Sequence, residues 1–138
     1  MTPEARIRDN FARQAVMGMM GVSILRIAPG EVDLQLPFRA DLCQQNGFLH
    51  AGVVTAVVDS ACGYAALSMM PEGADVLSVE FKVNLLAPAQ GSLFEARGRV
   101  IKSGRTITVC SGELWAHNGE KSTCVSVMQA TMMAMLPR

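Results

Sequence analysis

Between Ala51 and Met70 the chain carries a single charged residue, Asp59. A carboxylate in so apolar a run is costly to bury unpaired, and burial raises its pKa. Two readings follow. Asp59 is a structural acid bonded to a backbone or hydroxyl partner, or it is a site carboxylate able to act as base or nucleophile. Just ahead of it, Gln44-Gln45-Asn46-Gly47-Phe48-Leu49-His50-Ala51-Gly52 places polar side chains and two glycines before and at a helix start. The first turn of a helix has free N–H groups and a partial positive charge, which suit a developing oxyanion. Ala51 and Gly52 are small enough for a substrate carbonyl to approach those N–H groups. His50 reads as a capping or core histidine or as a site residue. Carbonyl polarisation beside a carboxylate is the chemistry of acyl hydrolysis.

Spacing adds a constraint. Eight residues separate Ala51 from Asp59, about 12 Å along a helix at 1.5 Å per residue. That carboxylate cannot reach a carbonyl held at its own helix start. If Asp59 is catalytic, a second copy of the chain must supply one of the two groups, and the expected assembly is a homodimer with shared sites.

The elements that must hold these groups are readable in outline. Thr2-Pro3-Glu4 is a helix start with a hydroxyl cap, proline at the first position and an early acid. The stripe Ile7, Phe11, Ala15 continues it, and Gly18 and Gly21 mark its end. Residues 22–28 and the alternating Val32, Leu34, Leu36 form a hairpin across Pro29-Gly30. Residues 38–49 read as a loop, and Ala51 to Met70 as one long helix ending at Pro71-Glu72-Gly73. Four strands follow. In the first, Leu77, Val79, Phe81, Val83 and Leu85 alternate with polar residues as in a half-buried strand. Phe94, Ala96, Gly98 and Val100 alternate in the second, and a β-rich run covers Thr106 to Trp115. Asn118-Gly119 predicts a type I′ hairpin into a last strand ending near Met135. A helix apolar on nearly every side must be enclosed, and a curling antiparallel sheet would do it. The fold class is α+β, in one domain spanning residues 1–138.

Composition narrows the function. Twelve basic and twelve acidic residues cancel and no basic run occurs, which argues against a nucleic-acid or anionic-membrane surface. Half the residues are apolar, which argues against disorder. The start MTPEARIRDNFARQ lacks the apolar core of a signal peptide, and the expected location is the cytoplasm. The run from Ala51 to Met70 is rich in Gly, Ala, Ser and Thr with Asp59 near its middle, a core helix rather than a membrane span. Cys43, Cys62, Cys110 and Cys124 are scattered and only two histidines are present. No metal site is expected, and the cysteines read as reduced, small hydrophobes.

His50-Ala51-Gly52, with Asp59 nine residues after the histidine on a long apolar helix followed by four strands, resembles the hot-dog-fold acyl-CoA thioesterases. The likeness is greatest to the PaaI-like, phenylacetate-pathway group. It spans essentially the whole chain, including the leading helix, the strand running into Ala87-Pro88, and the Lys102-Ser103-Gly104-Arg105 turn. The resemblance implies a long central helix wrapped by a curved sheet of five to six strands, with a short N-terminal helix. It implies an obligate homodimer that pairs into a dimer of dimers. Asp59 would be nucleophile or general base, and the Ala51 N–H of the facing subunit the oxyanion donor. His50 would orient the loop or the thioester, and Ser78 would help position water. The substrate would be an acyl-CoA, with no cofactor besides the CoA it carries.

The sequence departs from the family pattern twice. Gln44 stands where Asn is usual six residues before the histidine, and Ala51 where Gly is usual after it. Gln44 can serve as an amide partner with its head group shifted, or a loop adjustment can offer Asn46. The Ala51 N–H is unaffected by its side chain. The Lys102-Ser103-Gly104-Arg105 turn is either an ordinary solvated hairpin or, as the resemblance implies, a contact for CoA phosphate or pantetheine. Met17, Met19, Met20, Met69 and Met70 read as core or interface filler, or as lining of an adaptable acyl pocket. Two other functions stay open: a hot-dog hydratase or dehydratase using His50 and Asp59 as an acid/base pair, and a non-catalytic acyl-CoA-binding or assembly module.

Overall fold

The computed structural model describes residues 1–137. In chain order the elements are α1 (Pro3–Arg13), α2 (Ala15–Met20), β1 (Ser23–Ala28), β2 (Glu31–Pro37), α3 (Ala51–Leu67), β3 (Asp75–Leu85), β4 (Leu93–Ser103), β5 (Ile107–Asn118) and β6 (Lys121–Met135). The six strands form one antiparallel sheet in the order β1-β2-β4-β5-β6-β3. α3 lies against β2 to β6, so the expected wrapped helix is present. No helix among the described residues is long and apolar enough to cross a membrane.

Two absent methyl groups set how deeply the helix sits. Gly98 on β4 and Gly112 on β5 are register partners. A Cβ on Gly98 would lie 2.3 Å from the Ala61 carbonyl oxygen, and one on Gly112 2.6 Å from Val58 Cγ1 and 2.7 Å from Cys62 Sγ. The pair forms a flat seat into which α3 presses its backbone, a common reason for glycine inside a strand. Around that seat Val57, Val58, Ala61, Cys62, Ala65 and Leu67 are fully buried with Leu34, Phe94 and Leu114 from the sheet. Burial pushes the Cys110 thiol up to about 11 and Cys62 higher still. Both are free and pack as small hydrophobes, as expected.

Four local readings need correction. The N-terminal helix is two helices. Thr2 caps the first through Ala5 N–H, but Gln14 leaves helical geometry at φ −82°, ψ 99°, and α2 ends at Gly21 with φ 82°. The break turns the Gln14 amide onto α3, where its Nε2 donates to Tyr64 Oη at 2.8 Å. The long helix stops at Leu67 rather than Met70. The Arg6 guanidinium takes the carbonyls of Leu67 (3.1 Å), Met70 (3.0 Å) and Pro71 (2.6 Å), supplying the donors that another turn of helix would have used.

The hairpin between β5 and β6 pairs Asn118 with Lys121, so its two central residues are Gly119 and Glu120. Gly119 has φ 63° and no non-glycine residue among the described residues has positive φ. This is the pattern of a II′ turn, which needs positive φ only at its first central residue, not of the I′ turn expected. Finally, β3 is not half-buried. It is an edge strand with β6 as its one neighbour, and Leu77, Val79, Phe81 and Leu85 are all exposed. A bulge between Ser78 and Glu80 shifts its register against β6, so its apolar residues do not share one face. Of the methionines, Met17, Met20 and Met70 are buried and Met19 and Met69 exposed.

Candidate active site

His50 begins the site. It is the N-cap of α3 in extended geometry, φ −60° and ψ 140°. Its own N–H donates to Leu42 O (3.0 Å), while Leu49 N–H donates to Ala89 O (3.1 Å), so the entry to the helix is pinned from both sides. The imidazole folds back over the helix end, and its Nδ1 accepts the Gly52 N–H at 2.8 Å. A Cβ on Gly52 would lie 3.1 Å from that Nδ1, so glycine at this position gives the ring its place. The His50 carbonyl accepts from Val53 N–H (2.9 Å) and Val54 N–H (3.1 Å). Of the first four helical amides, three are therefore engaged within the chain. The N–H of Ala51 alone has no acceptor among the described residues, and Ala51 is exposed.

The loop before it is ordered by Gln44. Its N–H donates to Phe48 O at 2.8 Å, and its side-chain Oε1 accepts from the N–H groups of Asn46 (2.5 Å) and Phe48 (3.3 Å). Gly47 completes the tight turn with φ 82°. Gln44 and Gln45 line a cavity of about 590 Å³ with His50, Ala51, Leu85 and Leu86. Asn46 sits at the exposed tip of the turn and does not line that cavity.

Asp59 lies two turns further along α3, half-buried, on the side facing β3. Ser78 Oγ donates to its Oδ1 at 2.6 Å and lies 3.3 Å from Met132 Sδ. Burial raises the Asp59 pKa above the ordinary carboxylate range, and the Ser78 hydrogen bond pulls it partly back. No cation pairs with Asp59 among the described residues. Desolvation without a counter-charge makes this carboxylate a stronger base than an exposed one, and one hydroxyl holds it in place.

Ala51 and Asp59 border one groove. About 490 Å³ in volume, it runs between α3 and β3, with Gly52, Thr55 and Ala56 as its floor and Phe81, Val83 and Leu85 as its apolar wall. The bulge after Ser78 makes this possible. Ser78 and, beyond the bulge, Phe81, Val83 and Leu85 all reach the helix side. These wall residues were not singled out from sequence, because an apolar strand residue looks the same in a core and in a groove. Asn10, Gln14, Ser60, Tyr64 and Asp75 were also missed. With Asp59 and Ser78 they line a small polar cavity next to the groove. The i,i+4 spacing of Asn10 and Gln14 on a short helix was the one sequence signal for it.

The Lys102-Ser103-Gly104-Arg105 turn stands apart from these groups. Ser103 shares a row with Thr108, Met132 and Ser78, so β5 and β6 lie between it and the site, roughly 14 Å at the usual strand spacing. All four turn residues are exposed. A Cβ on Gly104 would sit 2.3 Å from Ile107 O, so the glycine is required by the turn itself. Neither Lys102 nor Arg105 forms an ion pair among the described residues. No three His, Cys, Asp or Glu side chains converge among the described residues.

Residues 46–123 match the family model described as Thioesterase superfamily, a stretch that holds the helix start, Asp59, Ser78 and the Lys102–Arg105 turn. The fold superposes on a thioesterase family protein of Silicibacter pomeroyi with TM-score 0.97 and 48% identity, covering 98% of this chain and 99% of that one. It also superposes on the PaaI protein of the Escherichia coli phenylacetic acid degradation operon with TM-score 0.85, over 96% and 93% of the two chains at 16% identity, a likeness of fold. Among curated proteins, human acyl-coenzyme A thioesterase 13 is 28% identical over 106 residues, 76% of this chain and 72% of that protein. A long helix wrapped by a six-stranded antiparallel sheet, a capped helix start, a desolvated carboxylate and these matches place the chain in the thioesterase superfamily, as a thioester hydrolase of hot-dog fold.

Proposed function

We propose that the chain hydrolyses an acyl- or aryl-acyl-CoA to the free acid and CoA, at sites shared between two subunits of a homodimer. The observation that carries this reading is the unengaged Ala51 N–H at a helix start whose other amides are satisfied. That donor, aided by the partial positive charge of the helix end, stabilises the oxyanion as the thioester carbonyl is attacked. Asp59 of the facing subunit either attacks the carbonyl carbon itself or takes a proton from the attacking water. In both routes a C–O bond forms, the C–S bond breaks and CoA leaves as the thiolate, which takes up the proton released by the water that hydrolyses the acyl group. The first route passes through an acyl-carboxylate anhydride, which water then opens. Ser78 holds the carboxylate and helps to place the water. His50 orients the helix start, Gln44 the loop, Gly52 leaves room for the carbonyl, and Asn46 is available at the rim. The reaction calls for no metal and no cofactor beyond the CoA of its substrate.

The shared site follows from distance and from the edge strand. Ala51 and Asp59 are about 12 Å apart along one helix, and the exposed apolar edge of β3, with Phe81 43% and Leu85 53% exposed, calls for a covering partner. We assign that partner as a second copy, with pairs of dimers as the larger assembly, in the cytoplasm. The unpaired cations Lys102 and Arg105, with Ser103 and Gly104, supply the contact for the CoA phosphates. The test is thiol release from a panel of short, medium, long and aryl acyl-CoAs, with Asp59→Ala and Asp59→Asn alongside. Release by the wild type that is lost in both variants is expected. Release that persists in both would remove Asp59 from the mechanism, and a monomer by light scattering at assay concentration would end the shared-site model.

A further inference from the structure

The free edge of β3 carries open backbone groups and two unpaired charges. The Leu86 N–H donates to Val125 O of β6 at 2.8 Å. Backbone groups alternate in direction along a strand. Those of Asn84, Lys82 and Glu80 therefore turn to β6 as well, opposite Val127, Gln129 and Thr131. Those of Leu85, Val83 and Phe81 turn to the open side. Side chains alternate too. Phe81, Val83 and Leu85 face the groove, so Glu80 and Lys82 stand on the other face of the sheet. Both are exposed. Neither forms an ion pair among the described residues, and Lys82 Nζ donates only to Asn84 Oδ1, at 2.7 Å.

We propose that two copies of the chain join along β3 with Phe81 at the two-fold axis, in a register locked by Glu80 of each subunit against Lys82 of the partner subunit. The proposal rests on the shared-site reading above and fixes how the two halves of that site are aligned. Ser78 holds Asp59, and Leu85 walls the groove that Ala51 borders. For each Asp59 to meet the partner's Ala51, the two strands must run antiparallel, with both helices on one face of the joined sheet. The axis then crosses β3 near the middle of the span from Ser78 to Leu85, at Phe81 or Lys82. Directly opposed residues of an antiparallel pair share a face, so the residue facing any position can change only by twos. Each such step moves the axis by one residue.

Charge decides among these registers. With the axis at Phe81, Glu80 faces the partner's Lys82 and Lys82 faces the partner's Glu80. The open N–H and C=O of Phe81 then bond those of the partner's Phe81. With the axis at Lys82, that lysine faces the partner's Lys82. With the axis at Glu80, two carboxylates oppose one another. Glu80 and Lys82 occupy the close, non-hydrogen-bonded positions of such a pair, with Cα atoms about 4.5 Å apart, and like charges there repel. Both neighbouring registers are therefore disfavoured. Either slip also slides the partner by about 6.8 Å along the strand, which would part Asp59 from the partner's Ala51.

The test is disulfide capture on the full-length chain. In this register Glu80 and the partner's Lys82 lie within bridging range, whereas two copies of Glu80, or two of Lys82, stand roughly 8 Å apart, beyond it. Under mild oxidation the double variant Glu80→Cys/Lys82→Cys should run as a cross-linked dimer on a non-reducing gel. Glu80→Cys alone and Lys82→Cys alone should not, like the wild type. Cross-linking of either single variant, or a double variant that stays uncross-linked, would overturn the register. Exchange of the charges gives an independent reading by sedimentation over a dilution series. Glu80→Lys or Lys82→Glu should raise the dimer dissociation constant by about tenfold, and the two together should restore it. A merely structural role for either residue gives no such rescue, and failure of the combined variant to recover would overturn the ion pairs. The thioesterase reading fails by a different result. Cross-linking as expected, with no thiol released from the acyl-CoA panel by the wild type, would uphold the register and end that reading.

Discussion

Ser78 Oγ and Asp59 Oδ1 are joined at 2.6 Å across the gap between β3 and α3, and this one bond ties the edge strand to the charge on the central helix. It also works against burial, which raises the Asp59 pKa. Removing the hydroxyl in Ser78→Ala takes away the influence that lowers that pKa. The acid limb of the kcat/KM profile should therefore move to higher pH, with kcat lower by about tenfold as the carboxylate loses its orientation. A limb that stays in place in Ser78→Ala would show that the hydroxyl does not tune the carboxylate.

Asp59 should weaken the fold it serves. Its folded-state pKa lies above the ordinary 3.8, so in the window between 3.8 and that raised value the folded chain binds more protons than the unfolded one. Stability attributable to this group is full below the window and is lost as pH rises through it. Asp59→Asn removes the charge, and a side-chain oxygen remains to accept from Ser78. At neutral pH its melting temperature should rise while thiol release falls to background. An Asp59→Asn protein less stable than wild type at pH 7 would contradict the desolvation argument.

Ala51→Pro isolates the oxyanion donor. Proline is accepted at the first helical position, and His50, at φ −60° and ψ 140°, already has the extended geometry that a following proline needs. The substitution deletes the one unengaged N–H of the helix start. Circular dichroism should be unchanged, with kcat reduced about 100-fold. Full activity in a folded Ala51→Pro protein would assign the oxyanion elsewhere.

Gly98→Ala probes the seat of the helix. The added methyl would meet the Ala61 carbonyl at 2.3 Å, and the neighbour is backbone, so α3 must lift or the sheet must bend. A loss of about 1–3 kcal/mol in denaturant unfolding is expected, the usual cost of overpacking. Gly119→Ala, at the exposed turn with φ 63° and open space around its Cα, should cost less, since it meets backbone preference but no neighbour.

Much of the fold was legible because strong local signals agreed. The Thr2 cap, the alternation of Phe94 to Val100, and the long apolar run from Ala51 each dictate one element. Asp59 stood out by being the sole charge in that run. What stayed hidden depended on relations between distant residues. The bulge in β3 left no trace because Leu77, Val79, Phe81, Val83 and Leu85 are all apolar, and a slip among like residues changes no pattern. Its exposure was unreadable because alternation is the same whether the chain's own helix or a second copy covers the strand. The break at Gln14 carries no glycine or proline. Its cause is tertiary, an amide drawn to Tyr64 fifty residues away. The same is true of the polar cavity, assembled from two helices and a strand.

The bulge at Val79 has a consequence for how this strand can vary. Residues before it and after it answer to opposite parities, with Ser78 and Phe81 both directed at the helix although three positions separate them. A strand without the extra residue would have to choose between the hydroxyl and the apolar wall. Loss of one residue here would rotate every position on one side of the deletion by half a period. Beyond the deletion the shortened strand would still alternate apolar and polar residues, while the carboxylate lost its hydroxyl or the groove its lining. Length at this point is thus under tighter constraint than residue identity, and a homologue that lacks the inserted residue should not carry both features on this strand.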